Sequence, residues 1–359
     1  MRAVLVCLAN LVNEGKVTMA KDIIPLEVAP PAPAKATMIA DDLLWFRFTT
    51  PHEPNYVNLY ALDTNDGWLL IDCGVRSDAT ATNWKYMLHG PLAGKKVAGI
   101  LVSHHHPDHL GYAGALAALT NAPVYMASEE LKAGRWSADL SNQDFDIMAH
   151  EAFADFGYKE GQAKKTIKAA NDYRLMVWNL PDITIVDEFH VFASKNGKWV
   201  VRIDAGHSPG HVSLIDLDRK IYLSLDCLMP VTSPRVAVSI ADINDDPLRP
   251  YFSYLAGLSY LTNDWLVVPS HDWPFYGGGA RATQLQGIHH KLLDDLIEAA
   301  GELSLSTADA TQRLATPQLS DIGLFYASCE MRAHLNYLCT IGKMNMETEN
   351  GISQFSVSQ

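Results

Sequence analysis

Residues 103–109 read Ser103-His104-His105-His106-Pro107-Asp108-His109. Within this run His104, His106, Asp108 and His109 form an H-x-H-x-D-H pattern, four potential ligands in six residues. A regular helix or strand cannot turn all four toward one tetrahedral ion. A tight loop can direct them to two adjacent ions, and neutral imidazoles with a carboxylate suit zinc and its borderline neighbours. The flanks fit such a loop. Ala98–Val102 is a short apolar stretch like a buried strand, and Gly111–Leu116 begins a small-residue helix.

Further ligand types stand where other strands end. Gly206-His207-Ser208-Pro209-Gly210-His211 lies between the strand-like Trp199–Ile203 and Val212–Leu217. Tyr222–Leu225 is an apolar run ending at Asp226 and Cys227, and Leu266–Ser270 is another, ending at His271. Loops at strand ends can converge while the sheet beneath stays rigid.

With these motifs in this order, and Ile71-Asp72-Cys73-Gly74 ahead of them, the chain resembles the metallo-β-lactamase superfamily of metallo-hydrolases from about Thr37 to His271. The resemblance implies an α/β fold, the αββα sandwich. It implies that His104, His106 and His207 bind one zinc, that Asp108, His109 and His271 bind a second, and that Asp226 bridges them. Asp72 is then a hydrogen-bonding support. Each ion keeps room for a shared water, the open position of a catalytic site. True zinc β-lactamases place a cysteine ligand where Asp226 stands, so Asp226 argues against antibiotic hydrolysis. Related lactonases carry a tyrosine three residues after the bridging aspartate, where this chain has Met229; Tyr173, Tyr251 and Tyr276 are the candidate substitutes.

Other residues read as structural. His211, one turn past His207, suits a supporting or helix-capping place. Cys227 is a small buried residue. Gly277-Gly278-Gly279 lacks the Lys-Ser/Thr of a phosphate loop and reads as a flexible linker. His289 and His290 lie on a helical stretch.

A net charge of −13 disfavours nucleic acid as the main substrate, since phosphate binding needs a basic groove. Five scattered cysteines make no disulfide framework and point to a reducing cytoplasm. The apolar run 3–12 is too short to span a bilayer. Glu14-Gly15 would be encoded by a purine-rich sequence shortly before Met19, which suggests that translation starts at Met19 and that residues 1–18 are not made. Ile24–Thr37, rich in Pro and Ala, reads as an extended arm closing an N-terminal extension over 1–36.

The catalytic domain is expected over 37–276. It opens as a meander, with strands Leu43–Thr49, Tyr56–Leu62 and Trp68–Asp72. Residues 129–180 carry many aromatics and no strand signal, as expected of a helical insertion capping the pocket. Met229–Pro250, with four prolines, follows Asp226 and suits a pocket wall.

Over 277–359, Ala282–Ala300 has helical periodicity, Ser306–Asp309 a capping box, Leu324–Ile341 a long apolar helix, and Asn350-Gly351 a hairpin turn. This pattern suggests a small C-terminal helical, winged-helix-like domain, which some relatives carry there. Its third helix offers only Arg332 and Lys343 near an exposed surface, with Glu330 beside them, so packing and homodimerisation are favoured over DNA binding. Leu335 and Leu338 are then core residues.

The function that follows is hydrolysis of a small ester, thioester or lactone by two zinc ions sharing a hydroxide. Asp108 and Asp226 are the catalytic candidates for moving its proton. The alternatives are a phosphodiesterase or nuclease, whose phosphate contacts must come from Arg235, Arg249 or Arg281, and a hydrolytic dehalogenase. A non-enzymatic winged-helix regulator ranks last, because all seven ligands are intact. The expected partner is a small-molecule substrate, with no membrane.

Overall fold

The computed structural model describes residues 22–177, 179–316 and 318–358. The proposed start at Met19 lies outside these residues. Two seven-stranded sheets form the centre. The first runs in chain order through β2 (Thr37–Ala40), β3 (Leu43–Thr49), β4 (Tyr56–Thr64), β5 (Gly67–Ile71), β6 (Val97–Leu101), β7 (Val124–Met126) and β8 (Ile183–Ile185). Its first four strands pair antiparallel, and β5 through β8 pair parallel. The second sheet runs from β9 (Val191–Ala193) through β10 (Lys198–Asp204), β11 (His211–Asp216), β12 (Ile221–Leu225), β13 (Leu266–Pro269) and β14 (Phe275–Tyr276) to β1 (Ile24–Pro25) at the edge.

Strand alternation builds the layers. In β4, Tyr60 and Leu62 face one way and Val57, Leu59 and Ala61 the other. The first pair joins Leu43, Trp45, Ile71, Trp199, Leu214 and Leu223 in the core between the sheets. The second set packs with Trp84 and Met87 of α1 (Asp78–His89) and Leu116 of α3 (Ala113–Thr120). The short α2 (Pro107–Leu110) carries part of the H-x-H-x-D-H run. On the far side of the second sheet, Tyr222 and Val267 meet α7 (Leu248–Ala256), α8 (Gly278–Ala300), α9 (Thr307–Leu314) and α10 (Asp321–Thr340). Helices therefore cover both outer faces of a two-sheet sandwich.

The insertion is helical: α4 (Ser128–Asp139), α5 (Asn142–Asp155) and α6 (Lys164–Arg174). Its Phe145, Phe153 and Ile167 pack on Val238 and on Phe325 and Cys329 of α10. The C-terminal hairpin pairs β16 (Met344–Glu349) with β17 (Ile352–Val357) around Asn350-Gly351, and β15 (Leu305–Ser306) completes a three-stranded sheet. Ser306 and Asp309 form the capping box that starts α9.

Three expectations need correction. Gly277–Gly279 is no flexible linker, because it opens α8. A Cβ on Gly277 would lie 2.0 Å from the Asp22 carbonyl oxygen, and one on Gly278 2.8 Å from Val267. Arg332 and Glu330 are not at an exposed surface. Arg332 is buried, with Nη1 2.6 Å from Asp155 Oδ1 and Nε 3.0 Å from Asn336 Oδ1, and Glu330 is 6% exposed. His211 caps no helix but starts β11, buried, with its ring centroid 5.0 Å from that of His104. Leu335 and Leu338 are core residues, as expected. Among the described residues no helix is long and apolar enough to cross a membrane.

Candidate metal centre

The loops after β6, β10, β12 and β13 converge at one end of the sandwich. They bring together His104, His106, His207 and Asp226 in one group and Asp108, His109 and His271 in another, with the ligand-type atoms of each group within 4.8 Å of one another. Asp226 stands between the groups. Its Oδ2 lies 3.4 Å from His207 Nε2 and 3.9 Å from His104 Nε2. Its Oδ1 lies 3.4 Å from His109 Nε2 and 3.7 Å from His271 Nε2. Asp108 Oδ2 is 3.5 Å from His109 Nε2 and 3.4 Å from His271 Nε2.

The outer ring nitrogens are held by fixed acceptors. His109 Nδ1 donates to Asp72 Oδ2 at 2.8 Å, His207 Nδ1 to the Arg235 carbonyl at 2.9 Å, and His271 Nδ1 to the Tyr56 carbonyl at 3.1 Å. The Ser103 hydroxyl donates to Asp72 at 2.8 Å and so accepts from His104 Nδ1 at 2.9 Å. Each of these bonds turns an Nε2 inward, the arrangement of a metal-binding histidine. Asp72, Leu225 and Asp272 have φ of +65°, +50° and +63°. Left-handed backbone at three non-glycine residues beside the candidate ligands is strain of the kind that gathers at functional sites.

The electrostatics suit a cation. Burial, reinforced by neighbouring imidazoles, holds His104 and His106 well below the usual histidine range, and burial brings His207 down to about 4. These rings are neutral. Burial opposes charge on Asp108 and Asp226 and on His109 and His271 alike, but the mutual attraction of carboxylates and rings outweighs it, keeping both carboxylates ionised and raising the two histidines; a cation would take the place of those ring protons. His109 Nε2 and Asp226 Oδ1 are buried and have no hydrogen-bond partner. An ion is the partner that would satisfy both.

His105, the middle histidine of the run, joins neither group. Its backbone N–H donates to Glu130 Oε2 at 2.9 Å and its Nδ1 lies 2.7 Å from the same oxygen. Glu130 Oε1 accepts from Ser208 Oγ at 2.6 Å and Gly210 N at 2.7 Å. One buried carboxylate in α4 therefore ties the two histidine loops together. Sequence reasoning missed Glu130, because Glu129-Glu130 looks like ordinary acidic residues in a helix first turn.

Of the three candidate tyrosines, Tyr173 reaches the centre. Its hydroxyl donates to Asp108 Oδ1 at 2.9 Å, and burial keeps it protonated. Tyr251 is buried on the Cys227 carbonyl, and Tyr276 pairs with Leu266 in the sheet. Of the three arginines, Arg235 lines the pocket. Arg281 is buried on the carbonyls of Met229, Val231 and Thr232, and Arg249 is exposed beside Asp246. The Met229–Pro250 segment does form pocket wall, through Met229, Thr232, Ser233 and Arg235. Tyr326 of α10 also lines it, a contribution that no local pattern announced.

Residues 52–271 match the family model described as the metallo-beta-lactamase superfamily. No curated protein matches the chain. Among solved structures, a beta-lactamase domain protein from Burkholderia ambifaria superposes with a TM-score of 0.83 at 26% identity, covering 94% of this chain and 97% of that one. A metallo-beta-lactamase family protein from Thermus thermophilus superposes with a TM-score of 0.75 at 22% identity, over 89% of this chain and 100% of that one. The family match spans more than half of the chain, which therefore belongs to the metallo-β-lactamase superfamily, whose members are generally metallo-hydrolases.

Proposed function

We propose that this superfamily hydrolase is a dinuclear zinc enzyme acting on the carbonyl of an ester, thioester or lactone. The observation that carries the reading is Asp226, which turns one carboxylate oxygen to each histidine group. His104, His106 and His207 would hold one ion, Asp108, His109 and His271 the other, and Asp226 would join them. The nitrogen and oxygen donor set suits zinc. When bound, such a pair supplies a water acidified toward neutrality and a Lewis acid for a carbonyl oxygen.

The chain's own residues do the rest. Asp108 and Asp226, both ionised, are the groups that accept and pass on the nucleophile's proton. Tyr173 stays neutral and presents a hydroxyl beside Asp108. Its one proton goes to Asp108 in this structure, so it would serve a developing oxyanion, as Met229 cannot, by turning that proton from Asp108 to the substrate. The phosphodiesterase alternative loses support, because it needs several cations around the pocket and of its three arginines only Arg235 lines it. We read 277–359 as a winged-helix-like module used for packing, since Leu335, Leu338 and Arg332 are all buried. The deciding experiment is turnover of ester, thioester, lactone and phosphodiester panels by the zinc-loaded protein. Carbonyl substrates should be cleaved and lose activity in Tyr173→Phe. Cleavage of phosphodiesters alone would overturn the reading.

A further inference from the structure

The pocket has two chambers. The first, about 400 Å³, holds Asp108, Asp226 and His271 and is also lined by Thr50, Asn55 and Ser320 together with Pro51, Pro54 and Ile322. The second, about 480 Å³, lies under the insertion and α10; Trp136, Phe145, Ala170, Val238 and Phe325 give it an apolar side, and Arg174, Ser239, Asp245 and Asp246 also line it. His106, Tyr173, His207, Arg235 and Tyr326 line both chambers and so form the neck between them. Arg235 is fixed there from two directions. Its guanidinium carbon lies 3.6 Å from the Tyr326 ring centroid, and its carbonyl oxygen accepts the His207 Nδ1 proton at 2.9 Å.

We propose that the aromatic chamber is the acyl site, that Arg235 holds the acyl oxygen at the neck, and that the substrate is an ester or thioester of an apolar alkyl or aryl carboxylic acid. The proposal rests on the carbonyl-hydrolase reading. In that reaction the water oxygen bonds to the acyl carbon and the C–O or C–S bond breaks. One proton goes to the leaving oxygen or sulfur, and the second is released to solvent as the acid ionises. The product is then a carboxylate with an apolar tail. Its charge lies beside Arg235, a geometry that suits a guanidinium fork. Its tail lies against Trp136 and Phe145, where each buried methylene adds binding. The alcohol or thiol is then left in the first chamber, beside Asp108 and His271.

Two measurements on the full, metal-loaded chain test this separately from the hydrolase reading. The first is kcat/KM along p-nitrophenyl acetate, butyrate, hexanoate and octanoate. It should rise by up to about fourfold per methylene, the equivalent of ~0.8 kcal/mol for each buried CH₂. The second is calorimetric binding of octanoate against acetate. Octanoate should bind at least tenfold more tightly, and Ala133→Trp, which fills the chamber from α4, should abolish that difference. Arg235→Gln should weaken octanoate at least tenfold, with Arg235→Lys recovering part. If Ala133→Trp does not fold, Trp136→Ala should move the preference to longer chains. Turnover of acetate with no chain-length dependence, and equal binding of octanoate and acetate, would overturn the chamber assignment and leave the hydrolase standing. Preferential octanoate binding that Ala133→Trp removes, with no ester or thioester cleaved, would support the chamber as an acyl-binding site and overturn the carbonyl-hydrolase reading and the substrate assignment with it.

Discussion

Replacing Glu130 by glutamine should destabilise the folded chain by about 3 kcal/mol at neutral pH and loosen both histidine loops together. The carboxylate is fully buried and accepts from His105, Ser208 and Gly210. Burial alone would raise its pKa, but His105 and the donors of the second loop outweigh it and bring it from the ordinary 4.5 down to about 2. A depressed carboxyl pKa stabilises the fold above the unfolded value. That contribution is whole above about pH 4.5 and is lost as the pH falls toward about 2. At ~1.4 kcal/mol per pH unit the span corresponds to ~3 kcal/mol. A separate route agrees: a glutamine amide would turn N–H groups toward buried donors, and each donor left unmet costs ~1–3 kcal/mol. The assay is urea denaturation of wild type and Glu130→Gln, zinc-loaded and chelated, over a range of pH. The readout is the difference between the chains, in which other titrating groups cancel. A difference below ~1 kcal/mol at neutral pH, or one that does not shrink on acidification, would refute the reasoning.

Asp226→Asn should lower the metal content at both groups, because its two oxygens face one group each, whereas His271→Ala should deplete chiefly one; metal analysis of desalted protein distinguishes them. Arg332→Glu should cost ~3–5 kcal/mol in denaturant melts, since it sets a buried carboxylate against Asp155. Leu335→Ala should cost ~2–5 kcal/mol in the same assay, as a truncation in the core. Burial brings His334 down to about 4, so it folds neutral and its stabilisation is lost as the pH falls from about 6.5 toward 4. His334→Gln should therefore show a smaller loss of stability between about pH 7 and pH 5 than wild type, and equal losses would exclude this residue as a source of acid sensitivity.

The sequence by itself carried the candidate ligand residues that the fold brings together, the alternation that makes the strands, the helical insertion and the hairpin at Asn350-Gly351. Those features are encoded in spacings of a few residues, where the geometry of a loop or a pleat restricts which side chains share a face. Tertiary structure decided which side chains complete the site. Glu130 meets Ser208 across 78 residues of chain and Gly210 across 80. Tyr326 and Phe325 reach the pocket from α10, a helix whose pattern reads only as apolar. Arg332 looked like a surface charge and is buried on Asp155, whereas Arg235, one of three equivalent arginines in the sequence, alone among them lines the chambers. Nothing local separates these cases, because burial and partner are set by how distant elements pack. A charge is retained in the interior only where such packing supplies its counter-charge and hydrogen bonds.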